Sequence, residues 1–196
     1  MITDKQSYLQ CLEQDAVANG RTTKKPKLFG DDIWKFILIL RKNEYLKTFR
    51  GWKRMLLLPY IKIQTLLLHR ASIRCGFTIP LGTFDAGLSI AHRGTLVVNP
   101  TARIGKNCRI HEGVTIGSTN GSKQAAVIGN NVFIATGVKV IGDIQIADDV
   151  AIGANAVVVK DILEPGTTWA GVPARKVSDK NSHNYLSPML KLDTKE

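Results

Sequence analysis

Cysteine is scarce: Cys11, Cys75 and Cys108 are the only three in 196 residues, widely spaced and without a CxxC pair. An odd, dispersed set excludes a disulfide framework and a thiolate metal centre, and predicts a reducing, cytoplasmic setting. Long apolar runs are missing too. Residues 33–40 and 55–68 are the longest, and Lys35, Pro59 and Lys62 interrupt them, so neither supplies the roughly 20 apolar residues of a spanning helix. The Met-Ile-Thr-Asp start has no basic stretch leading into an apolar core, which predicts no signal peptide. No zinc-finger spacing, helix-turn-helix pattern or RNA-binding aromatic motif stands out, so nucleic acid is not an expected partner.

Positive charge is abundant and unevenly placed. The chain carries a formal +11, with 15 Lys/Arg against 6 Asp/Glu in residues 1–75 and 12 against 10 in residues 76–196. A basic half of this kind can face an anionic membrane, an acidic glycan or the other subunits of an oligomer. The 44% hydrophobic content is enough to bury a core.

From residue 98 onward a period of six dominates. Aliphatic residues fall at Val98, Ile104, Ile110, Ile116, Ile128, Ile134, Val140, Ile146, Ile152 and Val158, with Ser122 the single miss. A second small or aliphatic series follows four residues behind each, as at Ala102, Cys108, Val114, Val132, Val138 and Val150. A helix cannot use this period, because 3.6 residues per turn carries the apolar position round the axis. Short strands joined by tight corners can, and stacked rungs of that kind bury one continuous apolar column, a parallel β-helix. The polar run over residues 119–126 reads as a loop thrown out from one corner, where binding groups are commonly carried.

The first 75 residues differ in character. Residues 7–18 and 31–68 read as helical, with Asp31-Asp32 as a helix start and Gly51 and Pro59 as interruptions. The basic segment over residues 21–27 reads as a solvated linker, and Trp34, Leu38, Leu57 and Leu66 as residues able to bury against other chains. The expected organisation is a helical region over 1–75, a β-helix over 76–177 and a tail over 178–196.

Within residues 75–177, the stretch Gly87-Leu-Ser-Ile-Ala-His92-Arg-Gly-Thr-Leu-Val-Val-Asn99, the hexads and Ala170-Gly-Val-Pro-Ala-Arg175 resemble the serine acetyltransferase branch of the hexapeptide acyltransferases. Gly76-Phe-Thr-Ile-Pro80 and Cys108-Arg-Ile-His-Glu-Gly113 resemble small enzymes of surface-polysaccharide O-acetylation within that branch. The resemblance implies a left-handed β-helix of triangular section, a homotrimer that can pair into a dimer of trimers, and acetyl-CoA as co-substrate.

It also implies His92 as general base, since His92 matches the family's catalytic histidine and imidazole has suitable basicity near neutral pH. The family's aspartate before that histidine is Ala91 here, so the orienting acceptor must come from elsewhere. Asp85 is the first candidate, Glu112 the second, and a backbone carbonyl is equally open. His111 can face the same groove as a polar contact to the acceptor or stand as a surface residue beside the corner. His69 and His183 receive no role. No metal is expected, because only His92 and His111 among the histidines lie in the β-helix, short of the three that a zinc site of the type found on this fold would want. By resemblance Gly117, Ser118 and Thr119 lie beside the thioester, with an N–H of Gly117 or Ser118 as oxyanion donor. Ala135 and Ala154 then lie along the pantetheine arm, and Gly171, Ala174, Arg175 and Lys176 near the nucleotide.

The acceptor expectation follows from departures. An aspartate of the serine enzymes is Thr78 here, and a histidine and an arginine beyond the loop give way to Lys123-Gln-Ala-Ala126. Losing partners for a charged amino acid favours a sugar hydroxyl on a surface glycan or its lipid-linked precursor. L-serine, the route to cysteine, is the alternative. A lipid-linked acceptor would suit a basic front lying peripherally at an anionic membrane. A noncatalytic scaffold is the reading from another class, and it would have no reason to bind acetyl-CoA.

Overall fold

The computed structural model describes residues 1–119 and 122–192. Four helices come first: α1 (Lys5–Ala18), α2 (Asp32–Leu46), α3 (Gly51–Leu56) and α4 (Leu58–Cys75). Asp4 caps α1 in a reciprocal box with Ser7, its carboxylate accepting from the Ser7 N–H at 2.8 Å. Asp31 precedes α2 as the sequence predicts, but its carboxylate does not cap the helix. It pairs with Arg21 at 2.8 Å instead, and the Arg21 guanidinium lies 5.0 Å from the centre of the Trp34 ring. The Lys27 N–H also donates to Asp31 at 2.9 Å and Trp34 Nε1 to the Lys24 carbonyl at 3.0 Å, so the basic linker is tied to the start of α2 while its lysine side chains stay exposed. Gly51 opens α3, and Pro59 sits in the first turn of α4, where a missing N–H costs nothing.

The rest of the chain is a coil of short strands. Fourteen are numbered in chain order, from β1 (Phe77–Thr78) and β2 (Ser89–Ile90) through β5 (Arg109–Ile110), β6 (Thr115–Gly117), β8 (Phe133–Ile134) and β11 (Ala151–Ile152) to β13 (Thr168–Ala170) and β14 (Arg175–Ser178). They sort into three sheets that the chain visits in rotation. With β3 (Leu96–Val98), β4 (Arg103–Ile104), β7 (Val127–Ile128), β9 (Lys139–Ile141), β10 (Gln145–Ile146) and β12 (Val157–Val158), the sheet orders are β1-β3-β6-β9-β12, β10-β7-β4 and β14-β13-β11-β8-β5-β2, with bridges at Phe84–Ile104 and Ile146–Ile162 filling vacant rungs. All pairs are parallel except β13 with β14. Where the lattice is uninterrupted, paired residues stand three hexads apart, as Ile134 with Ile152, which is why a six-residue lattice in sequence becomes a column in space.

Both predicted series point inward: Ile110, Ile116, Ile134, Val140 and Ile152 are fully buried, as are Cys108, Val114, Val132 and Val138. Each Ile or Val so buried contributes about 1.5–3 kcal/mol. The miss at Ser122 has a physical reason. Across the polar run Ile116 pairs with Val140, four hexads on, so the run uses one hexad without adding a rung.

At the top of the coil the helices dock through a buried ion pair. Arg41 of α2 is 1% exposed and Asp15 of α1 is fully buried; Arg41 Nε donates to Asp15 at 2.8 Å. The guanidinium also donates to the carbonyls of Phe84 and Asp85 and to Glu44, while Asp15 accepts from the N–H groups of Gly87 and Leu88. Gly87 has φ +91 and a Cβ there would sit 2.4 Å from Asn107 Oδ1, so only glycine fits this junction. Trp34, expected as a contact to other chains, is 3% exposed within its own chain, whereas Leu66 is half exposed.

A ladder of side chains runs down one edge. Gln14 donates to Asn107, Asn107 to Asn131 and Asn131 to Asp149, at 2.7–2.9 Å, and His183 Nε2 lies 2.8 Å from Asp149. Residues 178–192 return to the helices: Leu186 and Leu190 pack with Ala18, and the Ser187 hydroxyl donates to the Val17 carbonyl at 2.7 Å.

Candidate active site

His92 stands at the corner between β2 and β3 (Leu96–Val98). That corner is two residues longer than the equivalent one a turn below, because Ile90 pairs with Ile110 while Val98 pairs with Ile116. The extra chain lets His92 project into solvent, and it is exposed. One turn down, the same corner holds His111 and Glu112; the rings of His92 and His111 meet edge to face with centroids 5.6 Å apart. Ligand-capable atoms of His92, His111 and Glu112 all lie within 4.8 Å of one another.

The strand register explains this meeting. Ala91, His111, Ala135 and Gly153 follow paired strand ends and bond in series down the edge, Ala91 N–H to Ile110 O, His111 N–H to Ile134 O and Ala135 N–H to Ile152 O. The next residues along, His92, Glu112, Thr136 and Ala154, form a parallel stack, and Gly171 continues it. Ala135, Ala154 and Gly171 therefore lie on the edge that carries His92.

Electrostatics give the cluster its character. The Thr136 hydroxyl donates to Glu112 Oε1 at 2.7 Å, and with the nearby imidazoles it holds the Glu112 carboxyl below the usual range. Burial, Arg109 and His92 lower the His111 pKa, so its imidazole is neutral near pH 7. His111 Nε2 and Glu112 Oε2 are buried without a partner. Two unused buried polar atoms beside an exposed imidazole mark a place prepared for another group. His111 is packed against Phe133, which stacks on Tyr185 at 4.6 Å, so the returning C-terminal segment steadies the cluster from one side.

Asp85 is not part of it. Its carboxylate accepts from the Met1 amino group at 2.8 Å and from the Ala86 N–H at 2.9 Å, and among the described residues it makes no hydrogen bond to His92. Glu112, the second candidate, is the carboxylate that reaches the corner. Gly117 ends β6 at the far edge of the same sheet, with Ser118 and Thr119 after it; Asn99 Nδ2 donates to Ser118 Oγ at 3.3 Å. Ala174 and Arg175 line a cleft of about 230 Å³ together with Val158, Trp169 and Pro173. The Lys176 ammonium is already held by Glu164 at 2.5 Å and Asp179 at 2.6 Å, which leaves Arg175 the freer cation. Thr136 and Phe133 were not singled out from the sequence. The signal for Thr136 was there: it lies four hexads below Glu112, the offset set by the loop.

Residues 125–160 match the family model described as bacterial transferase hexapeptide (six repeats). The serine acetyltransferase of Synechococcus elongatus is 36% identical over 118 residues, 59% of this chain and 48% of that protein. The Helicobacter pylori serine acetyltransferase is 42% identical over 101 residues, 50% of this chain and 58% of its own length. Over the coil the chain is similar to hexapeptide-repeat transferases, and the curated relatives it matches are serine acetyltransferases. It spans about half the length of the curated relatives it matches. Two solved serine acetyltransferases share the fold over most of the chain. The serine acetyltransferase of Brucella abortus in complex with coenzyme A aligns at TM-score 0.69 and 26% identity, covering 90% of this chain and 70% of that one. The Neisseria gonorrhoeae enzyme in complex with serine aligns at 0.65 and 26%, covering 89% and 70%.

Proposed function

We propose that this chain is a hexapeptide transferase that moves an acetyl group from acetyl-CoA to a hydroxyl, with His92 as general base. The observation that carries the proposal is the exposed His92 imidazole on its lengthened corner, backed by neutral His111 and ionised Glu112. In one step the acceptor oxygen attacks the thioester carbonyl while His92 removes the hydroxyl proton. As the tetrahedral intermediate collapses, the C–S bond breaks and the imidazolium returns its proton to the departing CoA sulfur. Glu112 favours the imidazolium by charge. His111 is a hydrogen-bonding contact for the acceptor through its unused Nε2.

A homotrimer is part of this proposal, and the spacing of the parts supports a site shared between chains. Glu112 and Gly117 lie at opposite edges of one sheet, and five extended residues span about 16 Å. The Gly117, Ser118 and Thr119 backbone of one chain can approach the His92 edge only of a neighbouring chain, where an N–H of Gly117 or Ser118 would stabilise the oxyanion. Solved relatives support a left-handed sense for the coil, an arrangement suited to trimer grooves. Pairing of trimers into hexamers remains part of the proposal. Coenzyme A would lie along the Ala135, Ala154 and Gly171 edge, with its nucleotide toward Ala174 and Arg175, and Lys176 joining only by giving up its acidic partners. Buried free Cys11, Cys75 and Cys108 fit a reducing cytoplasm. Among the described residues no helix is long and apolar enough to cross a membrane.

For the acceptor, the relatives support L-serine ahead of the sugar hydroxyl expected from the sequence, since the curated proteins named above are serine acetyltransferases. The sugar retains one specific support: Ala91 and Thr78 offer no carboxylate for a serine ammonium, and residues 123–126 hold Lys123 as their one charge where the serine enzymes carry a histidine and an arginine. Thiol release from acetyl-CoA, measured with L-serine and with a panel of glycan acceptors, separates the two. His92→Ala should lower kcat with the working acceptor about 10²–10⁴-fold, and an unchanged rate would remove His92 as the base. Two imidazoles and a carboxylate also make a zinc-type donor set. Activity should survive exhaustive chelation, and its loss would assign the cluster to a metal.

A further inference from the structure

We infer that α3 and the outward face of α4 form a docking surface for an anionic lipid bilayer. None of the six residues of α3 is buried, and in α4 only Cys75 is. Helix α4 touches α2 along a narrow stripe of half-buried residues, Ile61, Gln64, Leu68 and Ala71, with Asn43 Nδ2 donating to the Gln64 carbonyl at 3.1 Å. The opposite side, at helical spacing, presents Ile63, Leu66 and Ile73, which are 51–69% exposed. At the turn into α4, Trp52, Met55 and Leu56 are 68–75% exposed. Large side chains this uncovered, gathered on one side of a folded unit, mark a surface that meets something apolar.

Charge selects the occupant. Between Glu44 and Asp85 the sequence contains no acidic residue, yet it holds Lys47, Arg50, Lys53, Arg54, Lys62, Arg70 and Arg74. Among the described residues only Arg74 of these forms an ion pair, with Asp32 at 3.4 Å. Lys62 borders the apolar stripe and Arg70 lies on it between Leu66 and Ile73, so their long stems can lie along it while their charges reach out toward headgroups, the arrangement of helices that lie in a membrane interface. At 18 residues α4 is about 27 Å long, enough to lie flat on the surface. A second copy meeting this face through two-fold symmetry would set like charges against each other. A nucleic acid would use the charges but gain little from Trp52, Met55, Leu56 and Ile73. A bilayer with acidic headgroups uses both.

The test is cosedimentation of the full chain with vesicles, and it reads no catalysis, so its failure leaves the acetyl-transfer reading intact. Vesicles of equal parts phosphatidylglycerol and phosphatidylcholine should retain the protein at low salt, and pure phosphatidylcholine should not. Lys62→Glu with Arg70→Glu should weaken binding at least about tenfold. Trp52→Ser with Leu56→Ser should also weaken it, with an unfolding midpoint equal to wild type as the control for folding. Three results overturn the inference. One is no retention at low salt. Another is retention unaffected by the Trp52 and Leu56 changes, which would mean attraction to any polyanion, nucleic acid included. The third is retention absent while Ile63→Glu with Leu66→Glu reduces the size of the particle in solution, which would give the face to a second copy.

Discussion

The coil and the helical front solve the same problem in opposite ways. In the coil, stability is spread: Ile110, Ile116, Ile134 and Ile152 each bury one similar side chain in a stacked column, and neighbouring turns share the work. In the front it is concentrated. Phe36, Ile37 and Leu40 of α2 are fully buried, but the helices are oriented on the coil by the single buried pair of Arg41 and Asp15, and most of α3 and α4 buries nothing. The difference teaches that repetition tolerates local damage, whereas a polar bolt fails as a unit.

That contrast can be broken at either end. Asp15→Ala leaves the Arg41 charge buried without its partner and orphans the Gly87 and Leu88 N–H groups, so it should cost about 3–5 kcal/mol. A two-transition urea melt, the helices releasing before the coil, is the expected form of the loss. Ile134→Ala opens a cavity inside the column and should cost about 2–5 kcal/mol in one transition. A smaller effect is expected at the corner. His111 has its pKa held below its ordinary 6.5 by burial, so the unfolded chain takes up a proton that the folded chain refuses. Stability should fall as pH drops through 6.5 toward the lowered value, and His111→Asn should remove that part of the slope. Leu66→Ser, on the uncovered face of α4, should change stability by no more than about 0.5 kcal/mol. A large loss there would mean that the face is covered in the protein as it exists in solution.

What could be read in advance follows the same divide. Every aliphatic lattice position from Val98 to Val158 could be assigned an inward side chain because a period of six has one geometric meaning, and the structure buries them. His92 could be singled out by its motif, and its freedom to project by the break in the lattice before Val98. Asp85 is held elsewhere, by the Met1 amino group and the Ala86 N–H. In a coil, the near neighbour lies a whole turn away, and Glu112 meets His92 for that reason. The Arg41–Asp15 junction left no trace of its own in the sequence, since a charged pair 26 residues apart looks like two solvated residues until three elements close over it.

The strand that ends the coil has a further consequence, for solubility. A parallel stack is an open-ended template, and an unguarded last rung invites the first rung of another molecule, the beginning of a fibre. Here β14 runs antiparallel to β13 and so presents its outer edge in the wrong sense for continuation. Arg175 and Lys176 lie on that edge, and Asp179 just beyond it. At the other end, the helices cover the opening turn by way of Gly87 and Leu88. The repeat that makes the fold easy to extend is therefore stopped at both ends by pieces of the chain that do not repeat.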